Sequence, residues 1–117
     1  MNLDQHHAAG YGLGINPDAF GVWEPNVPGD PTWEQFLDGA ALAGYSMIEL
    51  GPYGYLPTDT SHLADELQAR SLGLTGGYVA GVFHDPSQRR QTFEEVHAVA
   101  RTTAGAGAEY LLLLART

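Results

Sequence analysis

The 117-residue sequence contains no cysteine and no lysine. Without cysteine the chain can form no disulfide and offers no thiolate to a metal, as is usual for proteins of a reducing compartment. Its fixed cations are five arginines, set against 14 acidic residues, for a formal net charge of -9. A charge of this sign repels phosphate backbones and anionic lipid headgroups. Neither a nucleic acid nor a membrane surface is therefore an expected partner.

Long apolar runs are missing as well. No run of 18 apolar residues is present, so no transmembrane helix is expected. Residues 1–7 have neither the basic stretch nor the apolar stretch of a signal peptide. The first eleven residues are small and polar and predict a flexible leader, with one globular unit over residues 12–117. Hydrophobic residues make up 44% of the chain, which is enough for a packed core, and we expect a cytoplasmic protein.

The sequence does contain a regular alternation of strand and helix patterns, with units of about thirty residues. Apolar runs at 12–15, 47–50, 74–82 and 110–114 predict four strands. Between them, helices are predicted from Asp30 or Thr32 to about Ala43, from Asp59 or Thr60 to Gly73, and from Asp85 to about residue 104. Strands joined by single helices are parallel. The pattern predicts an α/β fold, either a small doubly wound sheet or half of a (β/α)8 barrel, which typically has about 250 residues.

Three further details are predicted from the pattern. Residues 16–31 contain four prolines and predict a long loop. The third helix carries an apolar stripe of Phe93, Val96, Val99 and Ala100, which we expect to face the core. The last strand, at 110–114, is the most apolar segment, as is typical of a strand covered on both faces.

Candidate site residues follow from the rule that parallel α/β folds bind ligands at the carboxyl ends of their strands. This rule selects the segments beginning at Asn16, Glu49, His84 and Arg116. Glu49 is the most informative, because a carboxylate at the end of an apolar strand is costly unless it is paired. It belongs either to a ligand site or to a structural contact that holds a loop.

The neighbours of these residues allow two interpretations each. Tyr53 and Tyr55 could form a flat hydrogen-bonding wall for a sugar. His84 is either a metal ligand or proton carrier, or a solvent-facing residue beside an Asp85 that caps the next helix. The histidines within helices, His62 and His97, are predicted to lie on the surface.

The segment 48–57, Ile-Glu-Leu-Gly-Pro-Tyr-Gly-Tyr-Leu-Pro, follows an Ala-Gly-Tyr helix exit at 43–45. Together they resemble the sugar phosphate isomerase/epimerase superfamily, which has a xylose-isomerase-like barrel, and within it the inosose dehydratase branch. The likeness continues through 73–77 and 107–111 and covers residues of roughly 12 to 114.

This resemblance implies the N-terminal half of a (β/α)8 barrel, with strands 1–4. It also implies an enzyme family that uses a divalent cation (Mn²⁺, Mg²⁺, Co²⁺ or Zn²⁺) to remove a proton next to a carbonyl of a polyol or keto-sugar. The principal metal ligands of the family lie on later strands, so we expect no metal ligand in this chain and assign no catalytic residue. By position, Glu49 and His84 match pocket residues of the family, and we expect them to bind substrate together with Tyr53 and Asn16.

Two other functions remain open. An open parallel sheet has two unpaired edges, which favours a non-catalytic half-barrel that self-associates into a homo-oligomer or binds a small ligand. An independent flavodoxin-like binding domain is the third possibility. It would need a phosphate-cradling first loop, for which the proline-rich residues 16–31 are poorly suited.

Overall fold

The computed structural model describes residues 12–116, so the predicted leader at 1–11 lies outside the described residues. Five short strands alternate with three α-helices, and the predicted mixed α/β class is confirmed. No helix in the described range is both long enough and apolar enough to cross a membrane. The strands are β1 (Gly14–Ile15), β2 (Met47–Ile48), β3 (Gly73–Leu74), β4 (Gly76–Gly81) and β5 (Tyr110–Ala115); the helices are α1 (Trp33–Leu42), α2 (Thr60–Gln68) and α3 (Arg89–Gly105).

Every strand pair is parallel. β2 lies between β1 and β3 in one ladder, and β4 pairs with β5 in a second ladder. Only Thr75 separates β3 from β4, and the Leu50 N–H donates to the Gly76 carbonyl at 2.9 Å across this junction. β3 and β4 therefore follow one another along a single path beside β2, and β5 lies next to β4.

The break at Thr75 has a local cause. Leu74 is buried in the core, and a Cβ built on Gly77 would lie 3.1 Å from the Val99 side chain of α3. Both residues therefore face the helices, and two residues lie between them. In a regular strand, side chains on the same face are separated by a single residue. One residue is therefore extra, which is the defining feature of a β-bulge. The single strand predicted at 74–82 is therefore divided into β3 and β4.

Side-chain caps set the starts of the first two helices. Thr32 and Gln35 form a reciprocal capping box at α1, with bonds of 3.2 and 2.9 Å. Asp59 accepts from the third N–H of α2 at 2.9 Å. The prediction that Gly73 ends α2 is wrong, because the chain already turns at Ser71, which has a φ of +56°, and Gly73 opens β3.

The predicted loop at 16–31 is also interrupted, by a 3-10 helix over Pro17–Phe20. Asn16 caps this helix by accepting from the Asp18 N–H at 3.0 Å, and Pro17 stands in its first turn. A second 3-10 helix, Pro86–Gln88, leads into α3.

The core lies between the helices and one face of the sheet. It contains side chains from all three helices, from the strands and from the loop after β2; the largest fully buried ones are Phe36, Leu37, Ile48, Leu56, Leu63, Val22 and Pro17. Phe36 packs edge-on against Phe20 at 5.3 Å between ring centroids. Apolar burial of this kind is the main source of folding free energy.

The predicted inward stripe of α3 is only partly correct. Val99 is buried, but Phe93 is 62% exposed, and the prediction for it is wrong. The helix buries threonines instead, because it approaches strand positions occupied by glycine. A Cβ added to Gly77 or Gly81 would lie 3.0 Å from a threonine methyl group of α3. Small residues on both elements allow this close packing; the buried threonines are Thr92, Thr102 and Thr103.

The prediction that the last strand is covered on both faces is also wrong. Leu112 is 56% exposed and Leu113 is 55% exposed, although successive side chains point to opposite faces of the sheet. In the described part of the chain, β5 pairs with β4 alone. Its second edge and much of both faces therefore lie open.

An ion-pair cluster connects α1 to the end of α2. Arg70 donates from Nε to Asp38 at 2.6 Å, and from Nη1 to the Glu66 carboxylate at 2.7 Å and the Glu66 carbonyl at 2.9 Å. The hydrogen bonds that Arg70 donates to Asp38 and Glu66 raise the pKa of Arg70, so the guanidinium stays charged. One side chain thus bridges two helices.

We predict that Arg70→Met lowers the free energy of unfolding by about 1 kcal/mol, since charge-assisted bonds between partly exposed groups are modest in water. Urea unfolding at low and high salt measures the effect, which salt should reduce in the wild type only. Arg101→Met, on exposed α3 surface, is the matched control and should change little. An equal loss in both variants would contradict the bridging role.

Candidate functional site

The first two strands bring two predicted site residues together at their carboxyl ends. Asn16 follows β1 directly, and Glu49 follows β2. The parallel register pairs Ile15 with Ile48, and the Glu49 N–H donates to the Ile15 carbonyl at 3.0 Å. The next residue on each strand therefore lies at the same edge of the sheet.

The Asn16 side chain is oriented from two directions. Its Oδ1 accepts from the Asp18 N–H at 3.0 Å, and its Nδ2 donates to Oε2 of Glu49. Since a backbone N–H can only donate, the amide oxygen must face Asp18 and the amide nitrogen must face Glu49. One carboxylate oxygen of Glu49 is thereby held in place, and Oε1 has no hydrogen-bond partner among residues 12–116.

The loop after β2 is locked against the loop after β1. Gly51 has a φ of +72°, and a Cβ at this position would lie 2.6 Å from Cγ of Pro17. Gly51, Pro52 and Pro17 are all buried. Glycine is required here both for its conformation and for the close approach of the proline ring.

We predict that Gly51→Ala lowers the free energy of unfolding by about 2 kcal/mol or more, because it combines an unfavourable φ with a clash. Gly29→Ala is the matched control, since Gly29 also has a positive φ of +91° but has open space around it. Chemical denaturation measures the free energy of unfolding of both variants. The difference between their losses is the contribution of the clash. Equal losses would show that Pro17 moves aside.

A cavity of about 240 Å³ opens beside Glu49 on the sheet face opposite the helices. Its lining consists of Glu49, Thr75, Gly76, Gly77, Tyr110 and Leu112. The surface of this cavity is almost entirely apolar, and Glu49 is the one charged residue of its lining. Such a surface suits the carbon-bound hydrogen face of a ligand, with one carboxylate nearby to orient it.

Tyr53 lies in a different cleft, of about 320 Å³, beside the carboxyl ends of β4 and β5. The cleft is also lined by Trp23, Tyr78 and Arg116, and Pro52, two further β4 residues and two α3 residues complete it. Tyr53 and Trp23 are exposed, so their rings are available to a ligand. The structure therefore places Tyr53 apart from the Glu49 cavity, although both follow β2.

Tyr78 was not predicted as a site residue. It stands on the face opposite α3, because its neighbours Gly77 and Val79 face the core. Burial raises the pKa of the Tyr78 phenol, the Asp18 carboxylate raises it further, and the Arg116 guanidinium opposes both. The alternation of side chains along residues 74–82 is the only feature of the sequence that bears on Tyr78. A regular strand with Leu74 in the core would turn Tyr78 toward the core as well, and the extra residue at Thr75 turns it to the opposite face.

Tyr55 does not form the sugar-facing wall that its position suggested. Its ring is buried against Phe36 at 6.2 Å between centroids, and its hydroxyl donates to the Pro31 carbonyl at 2.7 Å. Burial, with smaller effects from the Asp30 and Glu34 carboxylates, raises the pKa of Tyr55 to about 12. Tyr55 thus holds the first long loop onto the core.

The raised pKa of Tyr55 predicts a loss of stability in alkali. The folded state favours the neutral phenol, so this contribution is complete below the ordinary pKa of 10 and disappears as the pH rises from 10 to about 12. We expect the free energy of unfolding to fall by up to about 2 kcal/mol over this range in the wild type. Tyr55→Phe should lack this component, and the exposed Tyr53→Phe should retain it. Denaturation at stepped pH measures both; parallel curves for wild type and Tyr55→Phe would contradict the assignment.

His84 is exposed and lines none of the cavities at the sheet edge. The adjacent Asp85 caps the 3-10 helix Pro86–Gln88, accepting from the Ser87 hydroxyl at 2.7 Å and the Ser87 N–H at 2.9 Å. These bonds, the hydroxyl bond foremost, hold the pKa of Asp85 below its usual value. His62 and His97 lie on exposed helix surface, as predicted.

The residues of the candidate site do not fit a divalent cation. Mg²⁺ and Mn²⁺ need several oxygen ligands around one point, and Zn²⁺ needs at least three protein donors. Between residues 12 and 116, no group of three or more histidine or acidic side chains comes close enough to hold one ion. Glu49 alone supplies a carboxylate, and one of its oxygens is engaged by Asn16.

No protein-family model matches the sequence, and a comparison with curated proteins also finds no match. The geometry of the described residues is therefore the basis for any functional conclusion.

Proposed function

We propose that the chain forms four βα units of a (β/α)8-type barrel and binds a polyol or keto-sugar at the carboxyl edge of its strands. The observation that carries the proposal is the Asn16–Glu49 pair, which two neighbouring parallel strands hold beside a cavity. Polyol hydroxyls donate to carboxylate oxygens, and a carboxylate fixed in advance by an amide binds them with little loss of side-chain entropy.

The strand order supports the barrel architecture over the doubly wound sheet. Doubly wound sheets reverse direction at a switch point, with orders such as 2-1-3-4-5. Here each ladder follows chain order with no reversal. Parallel neighbours are in general joined by right-handed crossovers, which place successive helices on one face of the sheet. A sheet with helices on one face only curves around the other face, as in a barrel.

The residues of the site suggest a division of roles. Glu49 accepts from ligand hydroxyls through Oε1, while Asn16 fixes its second oxygen. Tyr53 and Trp23 offer ring faces to the carbon-bound hydrogens of a sugar in the adjacent cleft. Arg116 and Tyr78 supply donors there.

The resembled family works through proton abstraction next to a carbonyl, with the cation polarising that carbonyl when it is bound. Since the described residues do not make a cation site, the part we assign to this chain is ligand binding and orientation. In that part, Glu49 accepts from the ligand hydroxyls and Asn16 orients its carboxylate.

NMR titration with myo-inositol and an inosose tests the proposal. We expect the amide signals of Asn16, Glu49 and neighbouring residues to shift, and we expect Glu49→Gln to weaken binding about tenfold, or about 1.4 kcal/mol. Glutamine keeps an acceptor for Asn16, so the thermal midpoint of the variant should change little.

Glu94→Gln, on the exposed surface of α3, is the control and should bind as the wild type does. Signals that stay unmoved at ligand concentrations of about 10 mM would contradict the proposal. A Glu49→Gln variant that loses thermal stability without ligand, as much as it loses affinity, would show that Glu49 is a structural residue.

A further inference from the structure

The strand β4 extends beyond its neighbour β2 at the carboxyl edge of the sheet. The Leu50 N–H donates to the Gly76 carbonyl at 2.9 Å, and the next residue, Gly51, turns the chain with a φ of +72°. β4 continues to Gly81 and stays paired with β5 along its whole length. The side of β4 that faces the loop after β2 is therefore uncovered from Tyr78 onward.

The backbone directions show which groups are free on this side. The Arg116 N–H donates to the Gly81 carbonyl at 2.8 Å, so odd-numbered residues of β4 point their backbone groups at β5. The even-numbered Tyr78 and Ala80 point theirs the other way. In the described part of the chain, no backbone group bonds to them on that side. Both residues are half-buried, so two donors and two acceptors there lack a backbone partner.

These free groups belong to the cleft that Trp23 and Tyr53 line. Tyr78, Val79 and Ala80 form its wall on the β4 side. The rings of Trp23 and Tyr53 are exposed by 69 and 42%. Sugar hydroxyls both donate and accept, and the carbon-bound hydrogens of a sugar pack on aromatic rings. A strand edge with free donors and acceptors, in one cleft with two exposed rings, therefore matches a sugar ring.

We propose that this cleft is a second sugar subsite, and that the ligand of the chain is a glycoside of a polyol with two rings. The inference rests on the proposed function, because the first ring occupies the Glu49 cavity. That cavity has about 240 Å³ and the cleft about 320 Å³. Ligand pockets typically have about 300–1,000 Å³, so each space alone is near or below the lower limit and the two together lie inside the range.

The two spaces are neighbours on one face of the sheet. The Tyr78 side chain stands on the face opposite α3, where the Glu49 cavity also opens. Gly77 lines the cavity, and the next residue, Tyr78, lines the cleft. After β2, Glu49 lines the cavity and Pro52 lines the cleft. A glycosidic bond beside Tyr78 would therefore connect a ring in the cavity to a ring in the cleft.

The charges of the cleft favour an uncharged second ring. Its two charged residues, Arg116 and Glu95, have opposite signs, and the whole chain carries -9. A phosphate or carboxylate group would meet no excess of positive charge here. Hydroxyl groups can bond to the guanidinium, to the carboxylate and to the strand edge alike.

Amide hydrogen exchange tests the free strand edge. After correction for intrinsic rates, we expect the Ala80 amide to exchange about tenfold faster than those of Val79 and Gly81, which are bonded to β5. Galactinol, in which galactose is joined to myo-inositol, should slow the exchange of Ala80, and myo-inositol alone should not. An Ala80 amide as protected in the free protein as its two neighbours would overturn the proposal.

NMR titration with the same two compounds tests the second subsite. We expect galactinol to bind about tenfold more tightly than myo-inositol and to shift the Ala80 amide signal together with those of Asn16 and Glu49. Equal affinities with an unmoved Ala80 signal would overturn the second subsite and leave the Glu49 site of the proposed function intact. Binding of neither compound would overturn both. Tighter binding of myo-inositol 1-phosphate than of galactinol would show an anion subsite and would also overturn the proposal.

Trp23→Ala tests the aromatic wall of the cleft. We expect the preference of this variant for galactinol over myo-inositol to fall from about tenfold to about twofold, because the second ring loses its packing surface. Phe93→Ala is the matched control, since Phe93 is also an exposed ring but lies on α3 outside the cleft, and it should keep the wild-type preference. The same preference in both variants would overturn the assignment of the second ring to this cleft.

Discussion

The two parallel backbone ladders, β1–β2–β3 and β4–β5, are the constraint on which the rest of the structure depends. Each strand extends for only two to six residues, so the register of a few hydrogen bonds decides which side chains meet. The pairing of Ile15 with Ile48 brings Asn16 to Glu49, and a shift of one residue would turn Glu49 toward the core. The contact of Gly51 with Pro17 supports the same register from the two loops.

The glycines of β4 extend this constraint to the helix layer. Gly77 and Gly81 let α3 approach the strand so closely that its buried face consists mainly of threonines. The Thr103 hydroxyl donates to the Val99 carbonyl at 2.8 Å, so a polar side chain can be buried there without an unsatisfied donor. Close packing on one face of β4 leaves Tyr78 on the other face, beside the carboxyl edge of the sheet.

Sequence reasoning predicted the elements that depend on local chemistry. Each of the first two helix starts was predicted as one of two residues, and Thr32 and Asp59 are the ones that cap. The apolar strands and the order of the elements also follow from side-chain types and their spacing. It failed where the answer depends on a neighbour distant in the chain. Phe93 fits a helical stripe as well as Thr92 does, and only the glycines of β4 decide between them. Tyr55 resembles Tyr53 in sequence, but the carbonyl of Pro31, 24 residues earlier, makes it a core residue.

The residues of the candidate site also differ in how far the sequence predicts their positions. Asn16 and Glu49 could be paired from the sequence because the rule for strand ends needs only the order of strands, whereas Tyr78 required knowledge of the bulge at Thr75.

For β5, the secondary structure was predicted from the sequence but the burial of its side chains was not. Its composition is that of a covered strand, but the described residues leave much of both its faces open. Composition records the surroundings in which a segment is stable, and those surroundings depend on neighbours that the spacing of side chains within the segment does not reveal.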